Sequence, residues 1–245
     1  MQIETAEMSL LGDREENQDR GRIARDEDVV LLVVADGMGG HAEGARAAET
    51  AIDALTEYFW QSPRPILDPQ GFLHIALSRA HDDVVGIGSG QSIDLRPRAT
   101  CAACVVQHGT AYWAHVGDSR VYWLRNGGVY ERTRDHSHVE ILVREGLITE
   151  DEAADHPMRN FVECCLGGDA ALPGMSVTNT RRLTSGDVLV LCTDGFWAGL
   201  DDTRLATLGD AAALSPQLEA LGRHAISSSA PYSDNATALV LRWQG

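Results

Sequence analysis

Seven short runs of apolar and β-branched residues divide the chain, and each is bounded by glycine, aspartate or asparagine, the pattern of short strands in a sheet protein. The runs are Val29–Val34, Cys101–Val106, Thr110–Val116, Val121–Leu124, Val129–Arg132, Val188–Cys192 and Ala236–Leu241. Asn126 and Gly127 separate two of these runs, and this dipeptide is typical of a two-residue hairpin turn. Hairpin-linked strands pair antiparallel, so we predict antiparallel sheets rather than a doubly wound parallel sheet.

Two segments have apolar residues at helical spacing. The first contains Ala48, Ala51, Ile52, Leu55 and Phe59, and the second contains Leu73, Leu77, Ala80 and Val84. A later helix is predicted to open at Ser215-Pro216, with serine as the N-cap and proline in the first turn. We therefore predict an α+β fold in which helices pack outside the sheets.

The segment from 137 to 175 is more polar than the strand region that precedes it. It contains a candidate capping box from Thr149 to Glu152. Long insertions of this kind are often functional flaps. We predict one domain over residues 1–245, with a flap-like helical excursion at about 137–175.

The charge of the chain argues against two classes of partner. It has 36 aspartates and glutamates against 20 lysines and arginines, a formal net charge of −16. Nucleic acid and anionic membranes would repel such a chain, so we expect neither as a partner. The N-terminal sequence lacks the features of a signal peptide, and no stretch reaches the ~18 apolar residues of a membrane span. We therefore expect a cytoplasmic protein.

The odd number of cysteines, five, argues against a disulfide framework. Cys101 and Cys104 form a C-x-x-C motif, but positions i and i+3 of a strand point to opposite faces. Cys164 and Cys165 are adjacent, so no second pair has matching spacing. We expect buried apolar thiols rather than a zinc or redox site.

Aspartates stand at the ends of several apolar runs. Asp36 and Asp194 each follow such a run and precede a glycine, Asp234 stands just before another run, and Asp118 lies between two more. Each Asp-Gly pair alone is compatible with an ordinary turn. If the strands are neighbours, however, the carboxylates gather and repel one another, and a hard divalent cation such as Mg²⁺, Mn²⁺ or Ca²⁺ would relieve that repulsion. Gly37 would let the backbone approach closely and lend its carbonyl.

Such a site suggests phosphoryl chemistry. Two hard cations that share an aspartate can activate a water molecule and clamp phosphoryl oxygens. Arg14 is a candidate fork for two phosphate oxygens, although the sequence alone favours a solvent-exposed arginine beside Glu15 and Glu16.

Six short motifs occur in order along nearly the whole chain. They are Arg14…Asn17-Gln18-Asp19, Asp36 to His41, Gly117 to Arg120 with Tyr122, Asp135 to Ser137, Asp194-Gly195, and Asp234-Asn235 with Thr237. Each is weak alone, but together they closely resemble the metal-dependent serine/threonine protein phosphatases of type 2C in their bacterial form. The resemblance implies a four-layer α-β-β-α sandwich, with two antiparallel sheets flanked by helices.

The resemblance also implies a metal site. By analogy, Asp36 bridges two Mn²⁺ or Mg²⁺ ions, Gly37 gives a carbonyl oxygen to one, and Asp194 and Asp234 complete the second. In bacterial relatives the aspartate that matches Asp118 can help to hold a weaker third ion.

Further roles follow from the same resemblance. Arg14 matches the arginine that grips the substrate phosphate, and Asp19 matches a carboxylate that orients metal-bound water. The implied activity is hydrolysis of phosphoserine and phosphothreonine by a metal-bridging water. The implied partners are phosphorylated proteins and a cognate Ser/Thr kinase that the enzyme opposes, and we expect a monomer.

The chain departs from the family at two places. Eukaryotic members have a histidine, the presumed general acid, directly after the metal Asp-Gly, where this chain has Met38; His41 is close and is a candidate acid or the opening of a helix. The Gly-Thr-Thr commonly seen before the central strands is Arg98-Ala99-Thr100 here, and the sequence does not show what that changes.

Other mechanisms fit less well. No cysteine is followed six positions later by arginine, which excludes a cysteine phosphatase. A lipolytic serine hydrolase would need an Asp-x-x-His late in the chain, and the one such spacing after Ser119, Asp135 to His138, lies near the middle. A phosphoprotein-binding pseudoenzyme and a phosphatase of a phosphorylated anti-sigma-factor antagonist stay open as alternatives.

Overall fold

The computed structural model describes residues 1–38 and 42–245 of the chain. The strands are β1 (Ile3–Leu10), β2 (Asp19–Asp26), β3 (Val29–Met38), β4 (Arg98–Ala99), β5 (Cys101–Gln107), β6 (Thr110–Val116), β7 (Arg120–Arg125), β8 (Gly128–Arg132), β9 (Leu166–Gly167), β10 (Ser176–Val177), β11 (Arg181–Arg182), β12 (Val188–Cys192) and β13 (Ala236–Trp243). The helices are α1 (Ala42–Gln61), α2 (Pro69–Ile87), α3 (His138–Arg144), α4 (Glu150–Ala154), α5 (Asp194–Trp197), α6 (Asp202–Asp210) and α7 (Leu214–Ser229). All seven predicted strands and the first two predicted helices are confirmed, with ends that differ by a few residues.

Two antiparallel sheets form the centre of the fold. The first sheet has the order β1-β13-β12-β7-β8. The second has the order β10-β6-β5-β3-β4-β9, with β2 paired to β3 and β11 paired to β6. Helices α1 and α2 pack on the second sheet, and α6 and α7 pack on the first. The predicted α-β-β-α sandwich is therefore confirmed.

Strand β3 shows why the sequence of the central strands is continuously apolar. Val30 and Leu32 face the layer between the two sheets, whereas Leu31 and Val33 face the helices α1 and α2. All four side chains are fully buried. A strand that is covered on both faces has no solvent side, so the usual polar alternation is lost.

The two cysteines of the C-x-x-C motif lie on opposite faces of β5, as predicted. Cys101 packs in the layer under the helices, and Cys104 packs between the sheets. Both thiols are free, and burial raises the pKa of each well above its usual range. They act as small apolar core residues.

Two predicted local signals are confirmed. Asn126 and Gly127 both have positive φ, 53° and 75°, and form the two-residue hairpin turn between β7 and β8. Thr149 caps α4: its hydroxyl accepts from the Glu152 N–H at 3.2 Å, and the Glu152 carboxylate accepts from the Thr149 N–H at 2.8 Å. Helices α3 and α4 lie in the segment predicted to be a flap, and the single-domain assignment and the flap itself stay predictions.

The predicted start of the last helix is wrong by about two residues. Helix α7 begins at Leu214, its N-cap position is Ala213, and Ser215 lies inside the helix. The carboxylate of Glu4, on β1, accepts from the Leu214 N–H at 2.9 Å and so replaces the expected serine cap. Leu214 is fully buried, and this tertiary contact sets the start of the helix.

Two long strands, β1 and β2, and the two-residue strands β4, β9, β10 and β11 have no counterpart among the predicted runs. The two long ones were missed for a physical reason. Both pair along only one edge, β1 with β13 and β2 with β3, and their burial alternates. Ala6 and Met8 are the buried residues of β1. Such polar, half-covered strands lack the apolar run by which the others were recognised.

No helix in the described part of the chain is long and apolar enough to cross a membrane.

Truncating a side chain in the layer between the sheets should markedly lower the free energy of unfolding. Leu189 of β12 is fully buried in that layer. We expect Leu189→Ala to lower the free energy of unfolding by about 2–5 kcal/mol, because it removes apolar contacts and leaves a cavity. Urea denaturation measures this. The matched control is Leu67→Ala, at a side chain that is 90% exposed, where a change above about 0.5 kcal/mol would contradict the burial argument.

Candidate functional site

A cleft of about 620 Å³ opens at one end of the sandwich. It is lined by Asp13, Arg14, Glu15, Glu16, Gln18, Asp36, Gly37, Met38, Asp118, Asn160, Val162, Asp194, Asp234 and Asn235. The four strand-end aspartates therefore meet, although they come from both sheets. The end of β3 supplies Asp36, the end of β12 supplies Asp194, and Asp234 precedes β13.

Strand pairing brings Asp19 to the same place. Asp19 begins β2 and lies directly opposite Asp36 in the β2–β3 register. Its side chain is 3% exposed, and its Oδ2 accepts from the Thr193 hydroxyl at 2.7 Å. Thr193 immediately precedes Asp194, so Asp19 links the chain segments of two cleft aspartates.

Position 37 must be glycine, because the backbone of a neighbouring segment packs directly against it. A Cβ at Gly37 would collide with the carbonyl oxygen of Gly44, in the first turns of α1. A Cβ at Gly44 would in turn lie 2.8 Å from the carbonyl oxygen of Gly37, and the Gly37 N–H donates to the Gln18 carbonyl at 3.2 Å. Close backbone approach at Gly37, as predicted, is therefore observed. Use of its carbonyl as a metal ligand stays a prediction.

Asp194 and Asp234 are neighbours because β12 and β13 pair antiparallel, which puts the end of one strand beside the start of the other. A Cβ at Gly195 would collide with the Asn235 carbonyl oxygen, so this glycine allows the two segments to touch. Asp234 Oδ2 accepts from Arg14 Nη2 at 2.6 Å. Asp194 Oδ1, in contrast, is buried without a hydrogen-bond partner in the described part of the structure.

Asp118 lies in the turn that crosses from β6 in the second sheet to β7 in the first. Its side chain is 8% exposed, and its carbonyl accepts from the indole N–H of Trp197 at 2.9 Å. The guanidinium of Arg120 stacks 3.3 Å from the centre of the Trp197 ring and makes two 2.8 Å bonds to Asp135. Because Trp197 ends the short helix that Asp194 begins, this contact joins the segments of two aspartates.

These supporting residues were not assigned roles from the sequence. Arg120 and Asp135 belong to motifs of the family pattern, and that was the available signal. Trp197 gave no signal, because its contact with Asp118 joins residues far apart in the chain.

Thr100 is the one residue of the Gly-Thr-Thr pattern that this chain retains, and its contacts show what this threonine does. Its hydroxyl accepts from the Asp36 N–H at 3.3 Å and lies 2.7 Å from the Ser119 hydroxyl, and its own N–H donates to the Asp36 carbonyl at 2.9 Å. The retained threonine therefore ties Asp36 to the turn that carries Asp118. The replaced positions, Arg98 and Ala99, pair with Met38 and Gly37 at the end of β3.

The aspartates are electrostatically strained without a cation. Burial and repulsion by the other carboxylates hold the pKa of Asp36 well above its usual range. The same causes, burial first, raise the pKa of Asp19 to about 7, of Asp118 to about 8 and of Asp194 to about 6. Asp36 and Asp194 keep part of their surface open to the cleft, whereas Asp19 and Asp118 are buried. A divalent cation would remove the repulsion.

The donor set fits hard cations. The side chains are carboxylates, and Asp194 Oδ1, which has no hydrogen-bond partner among the described residues, supplies an oxygen at the cleft. Within residues 1–38 and 42–245, no three acidic, histidine or cysteine side chains close into a compact cage. The aspartates instead line the walls of an open cleft, an arrangement suited to ions such as Mg²⁺ that keep several water ligands.

Arg14 reaches into the cleft rather than standing free in solvent. Its side chain is 58% exposed, but it forms the ion pair with Asp234, and that contact raises the pKa of the guanidinium further. Its remaining N–H groups have no protein acceptor among the described residues. The arginine is therefore a fixed positive charge at the cleft with donors to spare.

The general acid stays unassigned. His41, the candidate from the sequence, lies outside the described residues, and Met38 lines the cleft. His136 accepts from the Gly117 N–H at 3.3 Å and stacks 4.5 Å from His115. Burial and the neighbouring imidazole lower the pKa of His136 to about 4, so it is neutral at pH 7.

The two-sheet sandwich with an oxygen-lined cleft at one end matches the fold of solved bacterial serine/threonine phosphatases. The chain belongs to the protein phosphatase 2C family, whose model matches residues 9–234. A protein phosphatase 2C-type protein of Streptococcus pyogenes is 32% identical over 198 residues, which cover 80% of this chain and 79% of that one.

Solved structures of serine/threonine phosphatases have the same fold as this chain. The serine/threonine phosphatase of S. agalactiae has a TM-score of 0.89 and 28% identity, covering 99% of this chain and 100% of that one. The catalytic domain of the phosphatase PstP, solved with two manganese ions, has a TM-score of 0.81 and 27% identity and covers 99% of both chains.

The contacts of the Thr100 hydroxyl lead us to expect that this group contributes to the affinity of the cleft for Mn²⁺. Thr100→Val keeps the shape but leaves the Asp36 N–H and the Ser119 hydroxyl without this partner. We expect at least about tenfold weaker Mn²⁺ binding by calorimetry, the size typical of residues that orient metal ligands. Thr100→Ser is the matched control, since it keeps the hydroxyl; equal losses in both variants would contradict the link.

The raised pKa values predict how stability depends on pH without cations. Between the unfolded value near 4 and the folded value near 8, folded Asp118 retains a proton that the unfolded chain releases, so its contribution to stability falls as pH rises. In EDTA, we expect Asp118→Asn to become progressively more stable relative to the wild type from pH 5 to pH 8. Thermal unfolding of both proteins measures this, and a difference that is independent of pH would refute it. Saturating Mn²⁺ should reduce the difference.

Proposed function

We propose that this chain is a metal-dependent protein phosphatase that hydrolyses phosphoserine and phosphothreonine. One observation carries the proposal: aspartates from two different sheets meet in one cleft, and one of their buried carboxylate oxygens has no hydrogen-bond partner among the described residues. Membership of the protein phosphatase 2C family supports it, as do relatives named serine/threonine phosphatases.

The residues that would hold the cations are those of the cleft. In this proposal Asp36, the Gly37 carbonyl, Asp194 and Asp234 would together hold two ions. Asp118 would help to hold a weaker third ion. When bound, Mn²⁺ or Mg²⁺ would lower the pKa of a water molecule and neutralise charge on the phosphate.

The chain's own side chains would then bind and orient the substrate. Arg14 would donate its free N–H groups to the phosphate oxygens and stabilise charge on them during transfer. Asp19 would accept a hydrogen bond from the attacking water and so orient it. Water attacks phosphorus in line, the ester P–O bond breaks, and the departing serine or threonine oxygen takes up a proton, for which His41 is the candidate donor.

The biological setting is part of the same proposal. We infer a cytoplasmic monomer that opposes a bacterial Ser/Thr kinase by acting on the phosphoproteins the kinase produces. The excursion at about 137–175 would act as the flap that shapes access for those proteins. Val162 and Asn160 of this segment line the cleft, which supports that role.

Hydrolysis of a phosphothreonine peptide tests the proposal. We expect turnover with Mn²⁺, none with EDTA, and a loss of about 100-fold or more in Asp194→Asn, since a ligand should cost at least as much as the residues that orient it. The matched control is Asp53→Asn, on the exposed surface of α1, which should keep full activity. A folded protein that binds Mn²⁺ but hydrolyses no phosphoester would contradict the proposal and favour a phosphoprotein-binding role.

A further inference from the structure

A second groove, of about 790 Å³, adjoins the cleft. Met38, Asn160 and Val162 line both spaces, so the groove begins where the cleft ends. A protein segment whose phosphorylated residue lies in the cleft has to continue across the neighbouring surface. The groove is a continuous path for it.

The walls of the groove are apolar and exposed. On one side stand Ile93 and Leu95, which are 48% and 70% exposed, and on the other stand Phe161 and Leu172, which are 50% and 47% exposed. Four large apolar side chains around one groove form the kind of patch that marks a binding surface rather than scattered surface residues.

Two arginines line the groove, and neither forms an ion pair with a carboxylate in the part of the chain that the structure describes. Arg96 donates to the carbonyls of Gln91 and Gly168, and Arg98 donates to the carbonyl of Ile93. No carboxylate in the described part of the chain lies within 4 Å of either guanidinium. In a chain of net charge −16, these two positive charges are available to an acidic ligand.

Two of the three acidic residues of the groove already form hydrogen bonds within the protein. Glu163 accepts from or pairs with His138 at 2.9 Å, and Asp169 accepts from the Ala171 N–H at 3.1 Å. Asp94 lies in the short 3-10 helix of the opposite wall. The groove is therefore mixed in charge: among the described residues, Arg96 and Arg98 have no carboxylate within 4 Å, and Asp94 and Asp169 have no cationic partner either.

Arg98 is held on rigid backbone next to the cleft. It pairs with Met38 on one side and with Gly167 on the other. Met38 stands two residues after Asp36 on the same strand. Because a strand rises about 3.3 Å per residue, Arg98 lies within reach of a substrate side chain about two to four residues from the phosphorylated one.

We propose that this groove binds the substrate segment beside the phosphorylated residue, and that it selects a segment with an apolar and an acidic side chain. Arg98 is the specificity-determining residue, and Leu95 supplies the apolar contact. The inference rests on the proposed phosphatase function and names the class of protein substrate that the site prefers.

Two matched phosphothreonine peptides test the selection. Both carry leucine near the phosphothreonine, and they differ only in glutamate or lysine at two to four residues from it. We expect wild-type kcat/KM to favour the glutamate peptides by about tenfold at one or more of these spacings, the scale of one well-formed charge pair. Arg98→Ala should remove the preference, while hydrolysis of p-nitrophenyl phosphate, which has no peptide, should stay unchanged.

Further variants separate a binding role from a structural one. Leu95 is exposed, so Leu95→Glu should fold normally, weaken the glutamate peptides most and spare p-nitrophenyl phosphate. The matched controls are Leu67→Ala and Arg223→Ala, at exposed side chains of other surfaces, which should keep the wild-type preference.

The outcomes distinguish the two proposals. Equal hydrolysis of both peptides at every spacing, with p-nitrophenyl phosphate still cleaved, overturns the groove and leaves the phosphatase function standing. If the wild type with Mn²⁺ hydrolyses neither p-nitrophenyl phosphate nor any of the peptides, the phosphatase function itself is overturned. Equal losses on peptide and p-nitrophenyl phosphate in Arg98→Ala overturn the assigned specificity role. A dimer in sedimentation that Leu95→Glu dissociates would identify a second copy of the chain as the occupant.

Discussion

Repulsion among carboxylates at one end of the sandwich is the constraint on which the rest of the structure depends. Asp36, Asp118, Asp194 and Asp234 line one cleft, and Asp19 is buried opposite Asp36. Burial with mutual repulsion raises the pKa of Asp36 well above its usual range. Such a group separates unless the segments that carry it are anchored elsewhere. The anchors are β3 and β12, which are buried along both faces in the layers between and outside the sheets.

A set of polar and backbone contacts transmits that anchoring to the carboxylates. The Thr100 hydroxyl joins Asp36 to the β6–β7 turn, and the Trp197 indole joins the same turn to the helix that begins with Asp194. Close backbone contacts at Gly37 do the same between β3 and α1. Site and scaffold are therefore coupled, because each contact crosses from one layer of the fold to another.

The same electrostatics bears on substrate choice. A phosphorylated protein brings negative charge to a chain that is itself strongly negative, so binding depends on local positive charge. The cleft has Arg14, and the adjoining groove has Arg96 and Arg98 without carboxylate partners among the described residues. Cations in the cleft would complete this arrangement, and the groove would add recognition beyond the phosphate group.

The sequence by itself determined the central strands, the first two helices and the identity of the clustered aspartates, because continuous apolar runs, helical spacing and Asp-Gly turns are local signals. It missed β1 and β2, which are polar edge strands, and it misplaced the start of α7, where Glu4 caps Leu214 from across the fold. Only the tertiary structure decided that Trp197 holds Asp118 and that Arg98 lines a groove beside the cleft. Those contacts join residues that are distant in the chain, and sequence patterns report only on near neighbours.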